Sequence, residues 1–73
     1  MSQKIVYQIL EELGGKATFS DIKNKAKEKY PNYTLYTYVG QRLRGLKNWG
    51  YIEYIKDKKQ KEGIYVIREP FPA

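Results

Sequence analysis

Residues 34–56 read TLYTYVGQRLRGLKNWGYIEYIK, and this stretch decides the fold. Its first part carries an apolar stripe spaced i, i+4, i+8 and i+11, which consists of Leu35, Val39, Leu43 and Leu46. Helical geometry puts all four side chains on one face, whereas a strand would not bring them together. Gly40 and Gly45 each disfavour a helix by about 1 kcal/mol relative to alanine, but the stripe outweighs them. The stretch therefore predicts a helix over about residues 35–49, with Thr34 as N-cap and Gly50 as its end.

Two further helices are predicted before it. Residues 2–13 have an apolar face at helical spacing, formed by Ile5, Val6, Ile9, Leu10 and Leu13. The second helix, about residues 19–30, begins with the capping pair Thr18 and Asp21 and ends before Pro31. Between the two helices, residues 16–18 are expected to form a short extended stretch.

Residues 51–56 and 63–68 are rich in β-branched and aromatic side chains, which indicates two strands. The polar segment between them predicts an antiparallel β-hairpin with an exposed tip. The sequence thus predicts an α+β fold of three helices followed by a two-stranded hairpin, in one domain of residues 1–73. A small domain needs large buried side chains, so the following aromatics are expected in the core: Phe19, Tyr30, Trp49, Tyr51 and Tyr54.

Composition argues against catalysis. The chain of 73 residues has neither cysteine nor histidine, so the usual thiolate and imidazole ligands and nucleophiles are missing. The adjacent acids Glu11 and Glu12 point to different sides of a helix, and no glycine-rich phosphate loop occurs. We therefore expect no enzyme activity, no cofactor and no small-molecule substrate. Without a bilayer-spanning apolar run or a secretory signal, a cytoplasmic protein that meets nucleoid or host-cell DNA is expected.

The positive charge is concentrated in one third of the chain. The net charge is +6, and residues 36–61 hold seven basic side chains against two acidic ones. Such an asymmetry is typical of a surface that binds a polyanion. The alternative is a lysine-rich surface that only improves solubility or thermal stability.

The order of elements resembles the winged-helix family, in which three helices are followed by a hairpin called the wing. Val39, Leu43, Leu46, Gly50 and Ile52 stand in the pattern V-x3-L-x2-L-x3-G-x-I, which in that family marks the end of the recognition helix, a tight turn and the first wing strand. In size and in its Lys, Tyr and Ile content, the chain is similar to small archaeal and archaeal-virus transcriptional regulators. The resemblance implies a winged helix-turn-helix fold, double-stranded DNA as partner, and a wing on the DNA backbone or in the minor groove.

The outward face of the third helix offers groups that can read DNA. At about 100° per residue, Thr37, Gln41, Arg44 and Asn48 lie about 140–200° from Val39. Arginine can pair with guanine, and glutamine or asparagine with adenine. Gly40 and Lys47 flank this stripe, the Tyr38 hydroxyl either contacts a phosphate or packs against the second helix, and the hairpin adds lysines. The predicted DNA-binding residues are Thr37, Tyr38, Gly40, Gln41, Arg44, Lys47, Asn48, Lys56, Lys58, Lys59 and Lys61.

Two alternatives remain open at this point. A winged-helix module can dock on another protein without reading DNA, since a fold does not fix a function. The chain can also form a homodimer, for which the apolar first helix and the Pro-Phe-Pro tail at residues 70–72 are candidate surfaces. Dimerisation is compatible with DNA binding, because paired half-sites favour a two-fold symmetric protein.

Overall fold

A computed structural model describes residues 2–31 and 37–72, at Thr37 the backbone alone. Within these ranges the chain is α+β, with three helices and one three-stranded antiparallel sheet. The elements in chain order are α1 (Gln3–Glu12), β1 (Lys16–Thr18), α2 (Phe19–Lys29), α3 (Thr37–Asn48), β2 (Ile52–Ile55) and β3 (Ile64–Ile67). None of the described helices combines the length and hydropathy that crossing a bilayer requires.

The short stretch expected near residues 16–18 is a strand and completes the sheet. The strand order is β1-β3-β2, so β3 is central and pairs antiparallel with both neighbours. Tyr65 of β3 lies opposite Tyr54 of β2 and Ala17 of β1, while Ile67 lies opposite Ile52. Because side chains alternate along a strand, these five residues share the face of the sheet that turns towards the helices.

The core lies between that face and the three helices. Val39, Leu43 and Leu46 are fully buried, which confirms the stripe of α3 in the described part of the chain. The fourth stripe residue, Leu35, and the expected cap, Thr34, lie outside the described residues. The other buried apolar side chains are Val6, Tyr7, Ile9, Leu10, Ala17, Ile22, Ala26 and Ile52.

The helix ends follow the predicted signals. At the start of α2, the Thr18 hydroxyl accepts a hydrogen bond from the Asp21 amide at 3.1 Å, and the Asp21 carboxylate accepts one from the Thr18 amide at 3.4 Å. This reciprocal pair is the predicted capping box. After α3, Gly50 has φ = +82°, a left-handed conformation that side chains rarely adopt. The turn lets the Tyr51 amide donate to the Leu46 carbonyl at 3.0 Å, which closes the helix.

The prediction of core aromatics is confirmed at three positions and wrong at two. Phe19, Tyr30 and Tyr51 pack against the core, but the side chain of Trp49 is 75% exposed and that of Tyr54 is 40% exposed. Trp49 follows the last residue of α3, where the chain turns away before Ile52 rejoins the core. Tyr54 shares the inner face with Ile52 but stands two residues nearer the hairpin tip.

Both apolar features considered for self-association are used inside the fold. The apolar residues of α1 form part of the core. The ring of Phe71 packs on Tyr7 and Tyr51, with centroid distances of 5.4 and 5.0 Å. The Tyr7 hydroxyl donates to the Glu69 carbonyl at 2.8 Å and holds the tail in place.

Candidate nucleic-acid interface

The outward face of α3 is polar and accessible. Gln41, Arg44, Lys47 and Asn48 are exposed, whereas the described apolar residues of the same helix, Val39, Leu43 and Leu46, are fully buried. For these four residues the predicted rotation of the helix is confirmed. The side chain of Thr37 lies outside the described part, so its orientation stays a prediction.

A groove runs between this helix and the hairpin. Four residues of α3, Gly40, Gln41, Arg44 and Lys47, line one wall, and Tyr54 and Tyr65 line the other. The groove measures about 500 Å³ and contains two cationic side chains, an amide and two phenols, with no carboxylate in its lining. An environment of this kind attracts a negatively charged or hydrogen-bond-accepting partner.

The two tyrosines were not predicted as site residues. Their rings stand side by side, with centroids 4.9 Å apart, as expected for direct partners in the β2–β3 register. The Tyr54 hydroxyl accepts a hydrogen bond from the Gly63 amide at 3.3 Å. A Cβ atom on Gly63 would come closer than 3.0 Å to three atoms of Tyr54, so the glycine makes room for the ring. The register of the hairpin was the signal that could have paired the two tyrosines.

Tyr65 is half-buried in the groove wall, and its surroundings keep it protonated. Its burial raises the pKa of the hydroxyl above the ordinary value of 10.0, and the neighbouring Tyr54 raises the pKa further. The Arg44 guanidinium acts in the opposite direction and lowers that pKa, by less than burial and Tyr54 raise it. The hydroxyl of Tyr65 is therefore a hydrogen-bond donor at neutral pH, in a region of positive potential.

Not every predicted residue of α3 belongs to the groove. Tyr38 is 36% exposed and lies on the opposite flank of the helix, where the Arg42 guanidinium carbon stands 6.0 Å from its ring centroid. Asn48 is exposed at the last position of the helix, outside the groove lining. The groove thus unites Gly40, Gln41, Arg44 and Lys47 and leaves these two polar groups beside it.

The hairpin loop presents its lysines to solvent. Lys56, Lys58, Lys59 and Lys61 are all exposed. A turn organises the tip: the Gln60 amide donates to the Asp57 carbonyl at 3.0 Å, and the Asp57 carboxylate accepts from the Lys59 amide at 3.5 Å. Asp57, the first of the two acids of the loop, thus contributes to the turn.

The base of the loop next to β3 is hydrogen-bonded to the first turn of α2. The Glu62 carboxylate accepts hydrogen bonds from the Ser20 hydroxyl at 2.8 and 2.9 Å and from the Ser20 amide at 3.3 Å. A carboxylate at this place is also favoured by the helix dipole. Next to Ser20, Phe19 lies beside Gly40, where an added Cβ would meet its ring at 3.6 Å. The first turn of α2 therefore connects the base of the loop with the N-terminal half of α3, a link that the sequence did not reveal.

The acid of strand β2 is directed away from the basic surface. Glu53 forms an ion pair with Arg68, and on β2 it points to the face opposite Tyr54. Two further ion pairs, Lys29–Glu12 and Lys25–Glu28, lie away from α3 and the hairpin. Within residues 2–31 and 37–72, no ion pair involves the six candidate cations Arg44, Lys47, Lys56, Lys58, Lys59 and Lys61.

Comparisons of the chain with protein-family models, with curated proteins and with solved structures gave no match. Function must therefore be inferred from the surface itself.

Proposed function

We propose that this chain is a winged helix-turn-helix protein that binds double-stranded DNA, as a sequence-specific transcriptional regulator. In this proposal α2 and α3 form the helix-turn-helix, α3 enters the major groove, and the hairpin is a wing on the backbone or in the minor groove. One observation carries it. The exposed side of α3 is lined with Gln41, Arg44 and Lys47, free of carboxylates, next to a hairpin with four exposed lysines.

The chemistry of each group suits its proposed place. The Arg44 guanidinium can donate two parallel hydrogen bonds to guanine, and the Gln41 or Asn48 amide can pair with adenine. Lysines on a loop tip serve as point charges for phosphates and carry no sequence information. The proposal therefore assigns base reading to Gln41, Arg44 and Asn48 of α3, and general affinity to Lys56, Lys58, Lys59 and Lys61.

The contacts that connect the hairpin loop with α2 and α3 support a common partner for α3 and the hairpin. Glu62 ties the loop to Ser20, and Phe19 lies between that tie and Gly40 of α3. A wing that is fixed to the body of the domain loses less conformational freedom on binding than a free loop. Helix and loop then meet one duplex together.

Two substitutions test the division of labour. Preferred sequences are first selected from a random duplex pool. Arg44→Ala should then reduce the difference in binding free energy between selected and random DNA by about 1–3 kcal/mol, because it removes a base contact. Lys59→Ala should weaken binding to all duplexes alike and leave that free-energy difference unchanged. Lys4→Ala removes the same charge from α1 and serves as control, with no change in either affinity. Equal losses on selected and random DNA for Arg44→Ala would remove it from the base readers.

A second candidate function is contact with another protein. One observation favours it: Trp49 is 75% exposed and lines a shallow depression with Gln3, Tyr51 and Phe71. Tryptophan is enriched among the residues that dominate protein interfaces. Trp49→Ala would then abolish partner binding and leave duplex affinity intact, whereas Arg44→Ala would have the reverse effect.

The size of the molecule is compatible with a homodimer on DNA. Its principal extents are 35 × 29 × 20 Å. Adjacent half-sites on one side of a duplex are about 34–36 Å apart, so two copies side by side would reach successive major grooves. Sedimentation of the complex tests this extension, because two chains per duplex are expected, and a single chain on a two-turn duplex would contradict it.

A further inference from the structure

The groove between α3 and the hairpin has a composition that base reading by α3 does not explain. Its sheet wall consists of the two tyrosines, Tyr54 and Tyr65, and its helix wall includes Lys47. A volume of about 500 Å³ lies within the range of ligand sites, which is about 300–1,000 Å³. Most small-molecule pockets, however, are lined predominantly by apolar side chains. The donors and cations of this groove fit a phosphate better than an apolar ligand.

The hydrogen bonds of Tyr54 leave its proton available. Its hydroxyl oxygen accepts from the Gly63 amide, so the hydroxyl proton can be donated outward. Gly63 is required for this arrangement, because any side chain there would collide with the ring. The position of the phenol is therefore built into the hairpin.

Tyr65 offers a second donor beside the first. Its hydroxyl makes no hydrogen bond within the described residues, although the residue is half-buried and lines the groove. Its raised pKa keeps the proton in place, and the Arg44 guanidinium adds positive potential without providing an acceptor. Two phenolic donors and the Lys47 ammonium thus meet in one groove.

We propose that this groove seats one phosphodiester of the bound DNA strand, held by the hydroxyls of Tyr54 and Tyr65 and by the Lys47 ammonium. This proposal rests on the proposed function. If α3 lies in the major groove and the loop follows the backbone, the strand between them passes over the groove that separates helix from hairpin. A phosphate clamped there fixes the register of α3 on the bases without reading sequence itself.

Binding to a short duplex tests the clamp. A duplex of about 12 base pairs, slightly more than one helical turn, limits the number of registers. Tyr65→Phe and Tyr54→Phe remove one hydroxyl each and should weaken binding, by about tenfold for Tyr65, the usual effect of losing a hydrogen bond to a charged group. Tyr38→Phe, on the other flank of α3, is the matched control and should bind like the unsubstituted chain.

A series of duplexes with one neutral methylphosphonate each identifies the phosphate. At one position per bound chain, the substitution should weaken the unsubstituted protein by about tenfold or more and the Tyr65→Phe variant by a clearly smaller factor, because the variant has already lost one of the three donors to that phosphate. Tyr38→Phe should show the same loss as the unsubstituted chain.

The outcomes separate the clamp from the proposed function. Tight duplex binding that both Tyr→Phe variants retain, or equal methylphosphonate effects in the unsubstituted chain and in Tyr65→Phe, would overturn the clamp alone. Absence of duplex binding by the unsubstituted chain would overturn the proposed function and the clamp with it. Circular dichroism of each variant checks that the fold is intact, and the methylphosphonate series on the unsubstituted chain needs no variant.

Discussion

Replacing Gly63 by alanine should destabilise the domain when Tyr54 is present. When Tyr54 is replaced by alanine, the same substitution should be neutral or stabilising. In the native hairpin, the new Cβ would come closer than 3.0 Å to the Tyr54 ring and hydroxyl. The ring, which is 40% exposed, would have to swing outward. It would leave its pairing with Tyr65, at 4.9 Å between centroids, and its hydrogen bond from the Gly63 amide.

The magnitude follows from the contacts that are lost. A ring pair contributes about 0.5–1.5 kcal/mol beyond area burial, and a hydrogen bond contributes about 0.5–1.5 kcal/mol. Against these losses stands a gain of about 0.4–1 kcal/mol, because alanine restricts the unfolded chain more than glycine does. Gly63 has no positive φ, so backbone strain does not enter. The free energy of unfolding should therefore fall by about 1 kcal/mol, and Tm by about 4–8 °C for a domain of this size.

Removal of the Tyr54 ring should abolish the destabilising effect of Gly63→Ala. In the Tyr54→Ala background, Gly63→Ala meets no ring, so only the gain from the unfolded chain remains, and it should be neutral or stabilising by up to about 1 kcal/mol. Urea unfolding of the four proteins in the double-mutant cycle measures both effects. A cost of Gly63→Ala that is equal in the two backgrounds would refute the close approach of Gly63 and Tyr54.

Three further predictions concern the core, the loop tie and high pH. Leu43→Ala should lower the free energy of unfolding by about 2–5 kcal/mol, because the side chain is fully buried; chemical denaturation measures it, and a loss below 1 kcal/mol would show a loosely packed core. Glu62→Gln should accelerate hydrogen exchange of the Ser20 amide and cost about 0.5 kcal/mol, since it removes a charged acceptor at the start of α2; unchanged exchange would mean that the tie does not persist in solution. The free energy of unfolding should decline as pH rises above about 10. The raised pKa of Tyr65 in the folded chain means that the unfolded chain loses the phenolic proton at lower pH, which favours unfolding. The stability of the Tyr65→Phe variant should decline less, and identical pH profiles would exclude a contribution from Tyr65.

Periodic spacing made the helices predictable. The positions of Val39, Leu43 and Leu46 in the sequence were enough to place them on one face, and the same rotation exposed Gln41 and Arg44. Local capping signals worked for a similar reason, because a cap and its acceptor lie within three or four residues of each other. Exposure of the described polar candidates could therefore be predicted from the sequence.

The groove could not be predicted, because it depends on contacts between distant parts of the chain. Glu62 reaches Ser20 across 42 positions, and no local pattern signals that pair. Tyr54 was assigned to the core by its aromatic character, yet it lines the open groove beside α3 and is 40% exposed. Trp49 was assigned to the core by its aromatic character, yet its amide still bonds to the Gly45 carbonyl in the helical pattern and its side chain is 75% exposed, beside the buried stripe and not within it.

The salt dependence of duplex binding tests the central claim most directly. Log affinity for double-stranded DNA should fall linearly with log salt concentration, at a slope of about −0.9 per neutralised phosphate. With about four to seven such contacts per chain, the expected slope is about −4 to −6, and replacing Lys58, Lys59 and Lys61 together should reduce its magnitude by about three. An affinity that does not change with salt, or a slope that the three lysine substitutions leave unaltered, would contradict the assignment of α3 and the hairpin loop as a DNA-binding surface.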